Sequence, residues 1–337
     1  MRAVVLVGGF GTRLRPLTLS IPKPMLPVGH VPIIERLVAN LGRSGITEVT
    51  FALGFQPEPF IEAFPDGECA GVALRYAVEP EPLDTAGAIR FAADAAGIDD
   101  TFVVVNGDIL TDLDVAQLVS FHNDHGAEAT LHLIGVPDPS AFGVVAVDED
   151  GRVERFIEKP APGTAPSNLI NAGTYVLEPS VLQRIPLGHK VSIERATFPL
   201  VVEARGLFAM ATDDYWVDTG RPELYLQANL DVLAGGRRHD RCVGVHAAAV
   251  VDSAAAIEHS VVGAGARVGA ATVTRSVLLP GAVVENGAVV ADSVVMGHVG
   301  ADAVVRDSVL GADGVVAAQE HVSGERRPDP SAGPTSA

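Results

Sequence analysis

Short apolar runs and amphipathic stretches alternate along the first 232 residues of the chain. The runs that predict buried strands are Ala3–Val7, Val49–Leu53, Phe102–Val105, Ala129–Val136 and Gly173–Leu177. The stretches that predict helices are Ile33–Ser44, Ala86–Ala95 and Val115–His125. Strands that alternate with helices form mostly parallel sheets covered on both faces. The pattern therefore predicts an α/β domain over residues 1–232.

A second pattern occupies residues 240–322, which contain no Phe, Trp or Tyr and are rich in Val, Ala, Gly and Asp. Triplets of serine and two aliphatic residues begin at Ser260, Ser276, Ser293 and Ser308, at spacings of 16, 17 and 15 residues. Small residues at tight corners, with an aliphatic residue on each side, indicate a β-solenoid. Residues 323–337 are rich in Pro, Ser and Gly, and we expect a disordered tail there.

Composition narrows the classes of function. The net charge of −18 argues against a nucleic-acid partner. No apolar run approaches the about 20 residues of a membrane span, so no membrane partner is expected. The first residues lead into a strand without a basic, signal-like segment, and Cys69 and Cys242 show no metal-binding spacing. A reducing cytoplasm is the expected location.

The loop after the first predicted strand carries the most informative chemistry. Gly8-Gly9-Phe10-Gly11 lets the backbone approach a phosphate closely, and Arg13 and Arg15 follow it. The chain has only three lysines, and one of them, Lys23, stands between two prolines in this region. The loop fits neither the dinucleotide fingerprint nor the Walker A loop. It therefore predicts a site of another class that binds a phosphate chain and takes part in its reaction.

Residues 8–28, GGFGTRLRPLTLSIPKPMLPV, resemble the signature of the sugar-1-phosphate nucleotidyltransferases, also called NDP-sugar pyrophosphorylases. We call them the signature segment. Within that family they are most similar to the mannose-1-phosphate guanylyltransferase-like branch, and the similarity runs through most of the first 230 residues. The resemblance implies a Rossmann-like, mostly parallel nucleotidyltransferase domain followed by a left-handed parallel β-helix.

The resemblance also implies roles on the nucleotide side. The implied nucleotide-binding residues are Leu6, Gly8, Gly9, Gly11, Thr12, Glu79, Thr85 and Gly87. Arg13 would contact the triphosphate, Lys23 would meet the phosphates near the reacting centre, and Asp108 completes the catalytic set. Guanidinium and ammonium groups suit this role, because phosphoryl-type transfer depends on positioning and electrostatic stabilisation.

Asp108 follows a Val-rich run and Gly107, a setting that suits a Mg²⁺ ion held with phosphate oxygens. The resemblance implies that Asp108 and Asp218, from Trp216-Val217-Asp218-Thr219-Gly220, hold the same Mg²⁺. The alternative for Asp108 is a turn-forming or helix-capping role. Asp112 and Asp114 are also candidates for that role.

The implied sugar-phosphate residues are Gly143, Glu158, Lys159, Asn171 and Gly173. Glu158 would accept a sugar hydroxyl, and Lys159 would bind the phosphate of the sugar. The alternative for this pair is a surface ion pair at a strand end, which contributes little to stability. Glu194 matches a less specific motif, and an ordinary helix-start glutamate explains it equally well.

Glu79–Gly87, EPEPLDTAG, resembles the base-recognition segment of the family, with Asp84 where glycine is usual. Glycine there would serve a positive φ, which Asp tolerates better than most residues. We therefore expect a modest shift in loop geometry. A glutamate can accept two hydrogen bonds from guanine, whereas thymine and uracil offer one N–H.

The expected reaction is transfer of a nucleotidyl group from an NTP, expected to be GTP, to a sugar 1-phosphate, expected to be mannose 1-phosphate. A guanylyl- or thymidylyltransferase for another sugar or cyclitol phosphate is the first alternative. A non-catalytic relative, a dinucleotide-dependent oxidoreductase and a hexapeptide acyltransferase using His259 or His298 are weaker ones. The solenoid is expected to mediate a homodimer or higher homo-oligomer.

Overall fold

The computed structural model describes residues 1–9, 11–54, 57–239 and 241–330, which form two compact units. The first unit comprises Met1–Gly9 and Ile34–Trp216. The second comprises the described residues of Phe10–Ile33 and Val217–Ala337. In this division residues 11–33 and 217–232 group with the solenoid, and the expected domain boundary at residue 232 stays a prediction. Residue 240, the expected start of the solenoid, lies outside the described residues.

The elements before the solenoid follow the predicted alternation. The strands are β1 (Arg2–Leu6), β2 (Pro27–Val28), β3 (Val31–Pro32), β4 (Glu48–Leu53), β5 (Glu68–Cys69), β6 (Val72–Val78), β7 (Phe102–Asn106), β8 (Ile109–Thr111), β9 (Ala129–Gly135), β10 (Gly143–Val147), β11 (Val153–Glu158), β12 (Leu169–Leu177), β13 (Leu207–Thr212) and β14 (Trp216–Asp218). The α-helices are α1 (Ile33–Arg43), α2 (Glu58–Ala63), α3 (Asp84–Ala96), α4 (Val115–His125), α5 (Pro179–Gln183), α6 (Phe198–Glu203) and α7 (Pro222–Ala234). Short 3₁₀ turns span Thr12–Leu14, Leu17–Leu19 and Lys23–Met25, and a π turn spans Ile193–Thr197.

The first unit contains one ten-stranded sheet with a parallel centre in the order β7-β1-β4-β6. Antiparallel strands extend both sides of this centre, and β13 pairs in parallel with β9. The central strands are buried on both faces, as their unbroken apolar runs predict. The Rossmann-like fold is therefore confirmed, and its sheet is mixed rather than wholly parallel.

The bounds of α4 agree with the prediction because both ends carry capping residues. The carboxylate of Asp114 accepts a hydrogen bond from the Ala116 N–H at 3.0 Å. Gly126 ends the helix in the left-handed conformation, with φ of 56°. Asp114 thus has the capping role that the sequence allowed for it.

In the second unit, α7 packs beside the β2–β3 hairpin at the end of the signature segment. The Asn229 amide oxygen accepts a hydrogen bond from the Gly29 N–H at 2.8 Å, and the Tyr225 hydroxyl donates to the Pro27 carbonyl. Both side chains are fully buried. These contacts are the physical reason that residues 11–33 belong to this unit and not to the sheet.

The solenoid consists of three five-stranded parallel sheets. Its strands are β15 (Val250–Val251), β16 (Ala256–Glu258), β17 (Val261–Val262), β18 (Arg267–Val268), β19 (Thr272–Thr274), β20 (Val277–Leu278), β21 (Val283–Val284), β22 (Val289–Ala291), β23 (Val294–Val295), β24 (His298–Val299), β25 (Val304–Arg306), β26 (Val309–Leu310), β27 (Val315–Val316), β28 (His321–Ser323) and β29 (Arg326–Arg327). Every third strand joins the same sheet. This arrangement is consistent with the expected left-handed β-helix.

The repeated serines form a buried ladder between successive coils. The hydroxyl oxygens of Ser260, Ser276 and Ser293 accept hydrogen bonds from the N–H of the next serine, at 3.0 to 3.2 Å. Each hydroxyl also donates to the carbonyl two residues before it. Serine is small enough for the corner and satisfies both backbone groups, which explains the repeat.

Residues 326 and 327, at the start of the expected disordered tail, form β29, which pairs with β26. The Val309 N–H donates to the Glu325 carbonyl, and the Gly311 N–H donates to the Arg327 carbonyl, both at 2.8 Å. The polar composition concealed this strand, since backbone hydrogen bonds do not depend on an apolar side chain. Residues 331–337 of the expected tail lie outside the described residues.

Candidate active site

The carboxyl ends of the four central parallel strands bring the first group of predicted residues together. Leu6, at the end of β1, lies in register with Asn106 at the end of β7, and Leu53 of β4 pairs with Val78 of β6. The residues that follow these ends are Gly8 and Gly9, Gly54, Glu79 and Asp108. Ligands of such sheets bind beyond the carboxyl ends of the strands.

Gly107 allows the turn after β7 to lie against β1. Its N–H donates to the Leu6 carbonyl at 2.8 Å, and a Cβ at this position would lie 2.6 Å from a Val7 methyl carbon. Only glycine fits such a contact. Asp108 is held directly beyond this turn and is half-buried, where its carboxylate can serve as a cation ligand.

Glu79 faces the glycine turn and also closes the loop that precedes α3. Its Oε2 accepts a hydrogen bond from the Leu83 N–H at 2.9 Å. A Cβ on Gly8 would lie 3.9 Å from Oε1. Burial raises the pKa of this carboxyl, and the Leu83 hydrogen bond opposes that effect. One oxygen of Glu79 thus has a structural partner, while the other lies on the side of Gly8.

Asp84 adopts the left-handed conformation, with φ of 60°. Its Oδ1 accepts a hydrogen bond from the Thr85 N–H at 2.8 Å. The position therefore has the positive φ that the resemblance led us to expect, and Asp adopts it with local side-chain support.

Thr85 and Gly87 link the start of α3 to the segment 189–194. The Thr85 hydroxyl donates to Glu194 Oε2 at 2.8 Å and accepts from the Ile193 N–H at 2.8 Å. A Cβ on Gly87 would lie 2.5 Å from the His189 carbonyl oxygen. These contacts give both residues a structural role in addition to their predicted one.

In the second unit, residues 11–28 of the signature segment contain three successive short turns. Gly11 has φ of 55°, and its carbonyl accepts a hydrogen bond from the Thr18 hydroxyl at 2.8 Å. A Cβ on Gly11 would lie 3.0 Å from a Thr18 methyl carbon and 3.3 Å from Lys23 Cβ. Thr12 and Arg13 are exposed at the start of the first turn.

Asp218 lies close to two predicted basic residues of the signature segment, Lys23 and Arg13. Lys23 Nζ lies 3.2 Å from Asp218 Oδ1, and Arg13 Nη2 lies 4.0 Å from Oδ2. The Gly220 N–H donates to Oδ1 at 2.9 Å. Lys23 is only 6% exposed, so its ammonium group requires a negative partner. The structure thus brings three predicted residues, Arg13, Lys23 and Asp218, into one cluster.

The predicted sugar-phosphate residues form a cluster at the β10–β11 end in the first unit. Gly143 pairs with Glu158, and a Cβ on Gly143 would lie 2.7 Å from the Phe156 ring and 3.0 Å from Glu158 Oε2. Lys159 has φ of 50°, its N–H donates to the Phe142 carbonyl, and its Nζ lies 3.4 Å from Glu158 Oε1. The ion pair that the sequence suggested as an alternative is therefore present.

Asn171 and Gly173 lie where the register of β12 shifts. The Asn171 amide donates to the Tyr175 hydroxyl at 2.9 Å, and its Oδ1 accepts from the Gly173 N–H at 3.0 Å. Gly173 has φ of 77°, and a Cβ there would lie 2.6 Å from Asn106 Nδ2. The bulge therefore packs directly against the turn that carries Asp108.

Sequence reasoning missed Tyr175 and Gly220 and left Glu194 uncommitted. Tyr175 is fully buried, and its pKa is raised by burial and by the charges of Glu194, Glu158 and Asp108. The negative charges of those three carboxylates thus disfavour ionisation of the same phenol in the first unit. A buried tyrosine in the strand that carries Asn171 was the available signal.

No group of three or more His, Cys, Asp or Glu side chains that could hold a metal occurs within residues 1–9, 11–54, 57–239 and 241–330. Mg²⁺ in nucleotide sites takes one or two carboxylates and fills its other positions with water and phosphate oxygens. The donor chemistry of Asp108 and Asp218 is therefore appropriate to Mg²⁺ or a similar hard cation.

The histidines give the acyltransferase alternative no support. His298 Nε2 lies 2.9 Å from Glu285 Oε1 in an exposed pair, and His259 occupies a solenoid corner with φ of 46°.

A family model described as nucleotidyl transferase matches residues 2–235. The chain belongs to the nucleotidyl transferase family. A second model, described as the GlmU-like C-terminal hexapeptide, matches residues 246–333 of this nucleotidyl transferase. No helix in the described ranges of the chain has the length and apolar character needed to cross a membrane.

Named relatives cover most of this nucleotidyl transferase. It is 40% identical to the probable mannose-1-phosphate guanylyltransferase 1 of Oryza sativa subsp. japonica, over 88% of the chain and 86% of the relative. It is 42% identical to the mannose-1-phosphate guanylyltransferase of Mycobacterium tuberculosis, over 80% and 77%. The crystal structure of HddC from Yersinia pseudotuberculosis complexed with GMP-PN is similar, with 28% identity, a TM-score of 0.58, and coverage of 68% of this chain and 97% of that one.

Proposed function

We propose that this enzyme transfers the guanylyl group of GTP to mannose 1-phosphate, giving GDP-mannose and pyrophosphate. The observation that carries the proposal is the 40 to 42% identity to mannose-1-phosphate guanylyltransferases over most of the chain. The nucleotidyl transferase match agrees with the reaction class, and the GMP-PN complex of a similar structure agrees with a guanine nucleotide.

The proposed nucleotide side of the reaction comprises the predicted glycine, threonine, glutamate and basic residues. Gly8, Gly9 and Gly11 present backbone N–H groups to the nucleotide, with Leu6, Thr12, Thr85 and Gly87 completing its surroundings. Glu79 reads the base through the carboxylate oxygen that Leu83 does not use. Arg13 and Lys23 stabilise the triphosphate and the negative charge that accumulates on the leaving pyrophosphate.

The acceptor side is the cluster around Glu158 and Lys159. Lys159 binds the phosphate of mannose 1-phosphate, and Glu158 accepts a hydrogen bond from a sugar hydroxyl. Asn171 donates to the sugar, while Gly143 and Gly173 let it approach the backbone closely. The exposed Lys159 side chain, 59% accessible, supports a role that requires contact with solvent and ligand.

The chemical step is in-line displacement at the α-phosphorus of GTP. An ionised oxygen of the sugar phosphate forms the new P–O bond, so no side chain has to remove a proton first. The bond from the α-phosphorus to the β-bridging oxygen breaks, and its electron pair leaves with pyrophosphate. Asp108 and Asp218 are the proposed ligands of Mg²⁺, which would neutralise charge on the phosphates when bound.

A matrix of nucleotides and sugar phosphates tests the proposal. GTP, dTTP, UTP, ATP and CTP are each combined with mannose 1-phosphate or glucose 1-phosphate, and pyrophosphate release is measured with Mg²⁺ present. The proposal predicts the highest kcat/KM for GTP with mannose 1-phosphate. Higher activity with dTTP or with glucose 1-phosphate would replace the proposed substrate and keep the reaction class.

We also propose a cytoplasmic homo-oligomer assembled through the solenoid. Val250 and Val315 are 66% and 54% exposed on this part of the chain, which supports self-association. Light scattering would measure the mass, and a monomeric value at micromolar concentration would contradict the proposal.

A further inference from the structure

The signature segment contacts the solenoid through residues that no step of the reaction uses. Arg326 of β29, in the last described coil, donates from Nη1 to the Arg13 carbonyl at 3.0 Å and to the Arg15 carbonyl at 3.5 Å. Both carbonyls lie at the end of the Thr12–Leu14 turn, where backbone oxygens have no partner within the turn. A cation is favoured at that end of a helical turn.

Gly311, in the preceding coil, lies close to Pro16 of the signature segment, and its lack of a side chain allows this close approach. A Cβ at Gly311 would lie 2.9 Å from both Pro16 Cβ and the Pro16 carbonyl oxygen. Gly311 has no positive φ, so its requirement for glycine comes from this close approach. Any side chain here would displace the backbone that follows Arg13.

Met296 adds a third contact from the coil before Gly311. Its Sδ lies 3.5 Å from the Ser20 hydroxyl oxygen. Met296 and Gly311 hold equivalent places in successive coils, because the Met296 N–H donates to the Leu310 carbonyl and the Gly311 N–H donates to the Arg327 carbonyl. One corner of the solenoid thus runs along residues 13–20.

We infer that this corner of the solenoid positions the signature segment for catalysis, with Arg326 as its principal positioning residue. Arg326 holds the main chain of Arg13, whose guanidinium group lies in the cluster with Asp218. The inference rests on the proposed function for its kinetic readout. A displacement of about 1 Å in such a group can reduce a rate about 100-fold.

The test compares Arg326→Met and Arg326→Lys with the unchanged enzyme. For Arg326→Met we expect kcat/KM for GTP to fall about 10-fold or more, with the KM for mannose 1-phosphate within about 2-fold. Arg326→Lys should recover part of the loss, because one nitrogen makes both hydrogen bonds. Arg267→Met is the matched control, since the exposed Arg267 side chain makes no hydrogen bond or ion pair with any described residue.

Gly311→Ala provides a second test that does not alter charge. It should reproduce the loss in kcat/KM for GTP. Gly300→Ala is its control, because a Cβ there would lie 2.6 Å from the Ala318 backbone nitrogen and strain the solenoid alone. If Gly300→Ala gave the same kinetic change, the solenoid would act only through stability and the inference would be overturned.

Hydrogen exchange gives a readout that does not depend on activity. The amides of Leu14, Arg15 and Leu19 donate within the signature segment. They should exchange faster in Arg326→Met than in Arg267→Met, at equal melting temperature. Unchanged exchange together with unchanged kinetics would overturn the inference. An unchanged enzyme that is inactive with GTP and mannose 1-phosphate would contradict the proposed function instead, and the exchange result would still decide the inference.

Discussion

The ammonium nitrogen of Lys23 lies 3.2 Å from Oδ1 of Asp218, although 195 residues separate the two in sequence. Lys23 is almost fully buried and Asp218 is partly exposed. The carboxylate therefore fixes the ammonium group where solvent cannot replace a partner. The proposed phosphate ligand and the proposed cation ligand are thus parts of one charged cluster.

Replacement of Lys23 tests the electrostatic role of this cluster. We expect Lys23→Met to lower kcat/KM for GTP by about 100- to 1000-fold, because the charge facing the triphosphate is lost and Asp218 loses its closest cation. Steady-state pyrophosphate release measures the effect. Lys190→Met, at an exposed lysine, is the matched control and should remain within about 2-fold. Comparable losses in both variants would show that general surface charge is responsible.

Asp84 tests whether the unusual residue in the base-recognition segment changes base preference. Because its φ is already 60°, Asp84→Gly should change stability by no more than about 1 kcal/mol and leave the GTP to dTTP ratio of kcat/KM unchanged. Asp84→Val should cost about 1–3 kcal/mol, since a β-branched residue resists this conformation. Urea unfolding and the two kcat/KM values give the answer. A large gain in GTP preference in Asp84→Gly would show that the carboxylate itself disturbs the base site.

The sequence predicted the elements better than it predicted their packing. The predicted bounds of the helix Val115–His125 agree with the structure at both ends, because Asp114 and Gly126 cap it locally. The sequence did not predict that residues 11–33 group with the solenoid. A loop has no repeating pattern of apolar residues that would indicate the surface against which it packs. The sequence indicated Arg13, Lys23 and Asp218 as functional residues, each from its own motif. Their contact depends on the three-dimensional path of the chain.

The serine ladder predicts that removal of a single hydroxyl group substantially lowers the free energy of unfolding. Ser276→Ala removes the acceptor of the Ser293 N–H and the donor to the Thr274 carbonyl in a fully buried corner. We expect a loss of about 1–3 kcal/mol in the free energy of unfolding. Urea titration followed by circular dichroism measures it. Thr272→Ala, on an exposed strand position, should cost less than about 0.5 kcal/mol. An equally small loss in Ser276→Ala would show that the ladder does not stabilise the solenoid.

His132 predicts acid sensitivity of the first unit. It is fully buried, its Nε2 lies 2.8 Å from the Thr212 hydroxyl, and burial lowers its pKa to about 4. The unfolded chain, with a pKa of about 6.5 for this group, binds the proton first. Stability is therefore retained above pH 6.5 and falls as the pH decreases toward 4, by about 3 kcal/mol from this group.

His132→Gln should flatten this part of the pH dependence, as measured by thermal unfolding at pH 7, 6, 5 and 4. His321→Gln, at an exposed histidine, should leave the dependence as it is. Parallel curves for the unchanged protein and His132→Gln would contradict the assignment. The burial-lowered pKa of His122 adds a smaller effect of the same sign in every variant.

In the proposed reaction, an oxygen of the sugar phosphate attacks the α-phosphorus of GTP. Mannose 1-phosphate labelled with oxygen-18 in its non-bridging phosphoryl oxygens, incubated with unlabelled GTP, Mg²⁺ and the enzyme, tests it by mass spectrometry. We expect GDP-mannose that retains every label, formed in equal amounts with unlabelled pyrophosphate. Labelled pyrophosphate, or pyrophosphate without GDP-mannose, would contradict it.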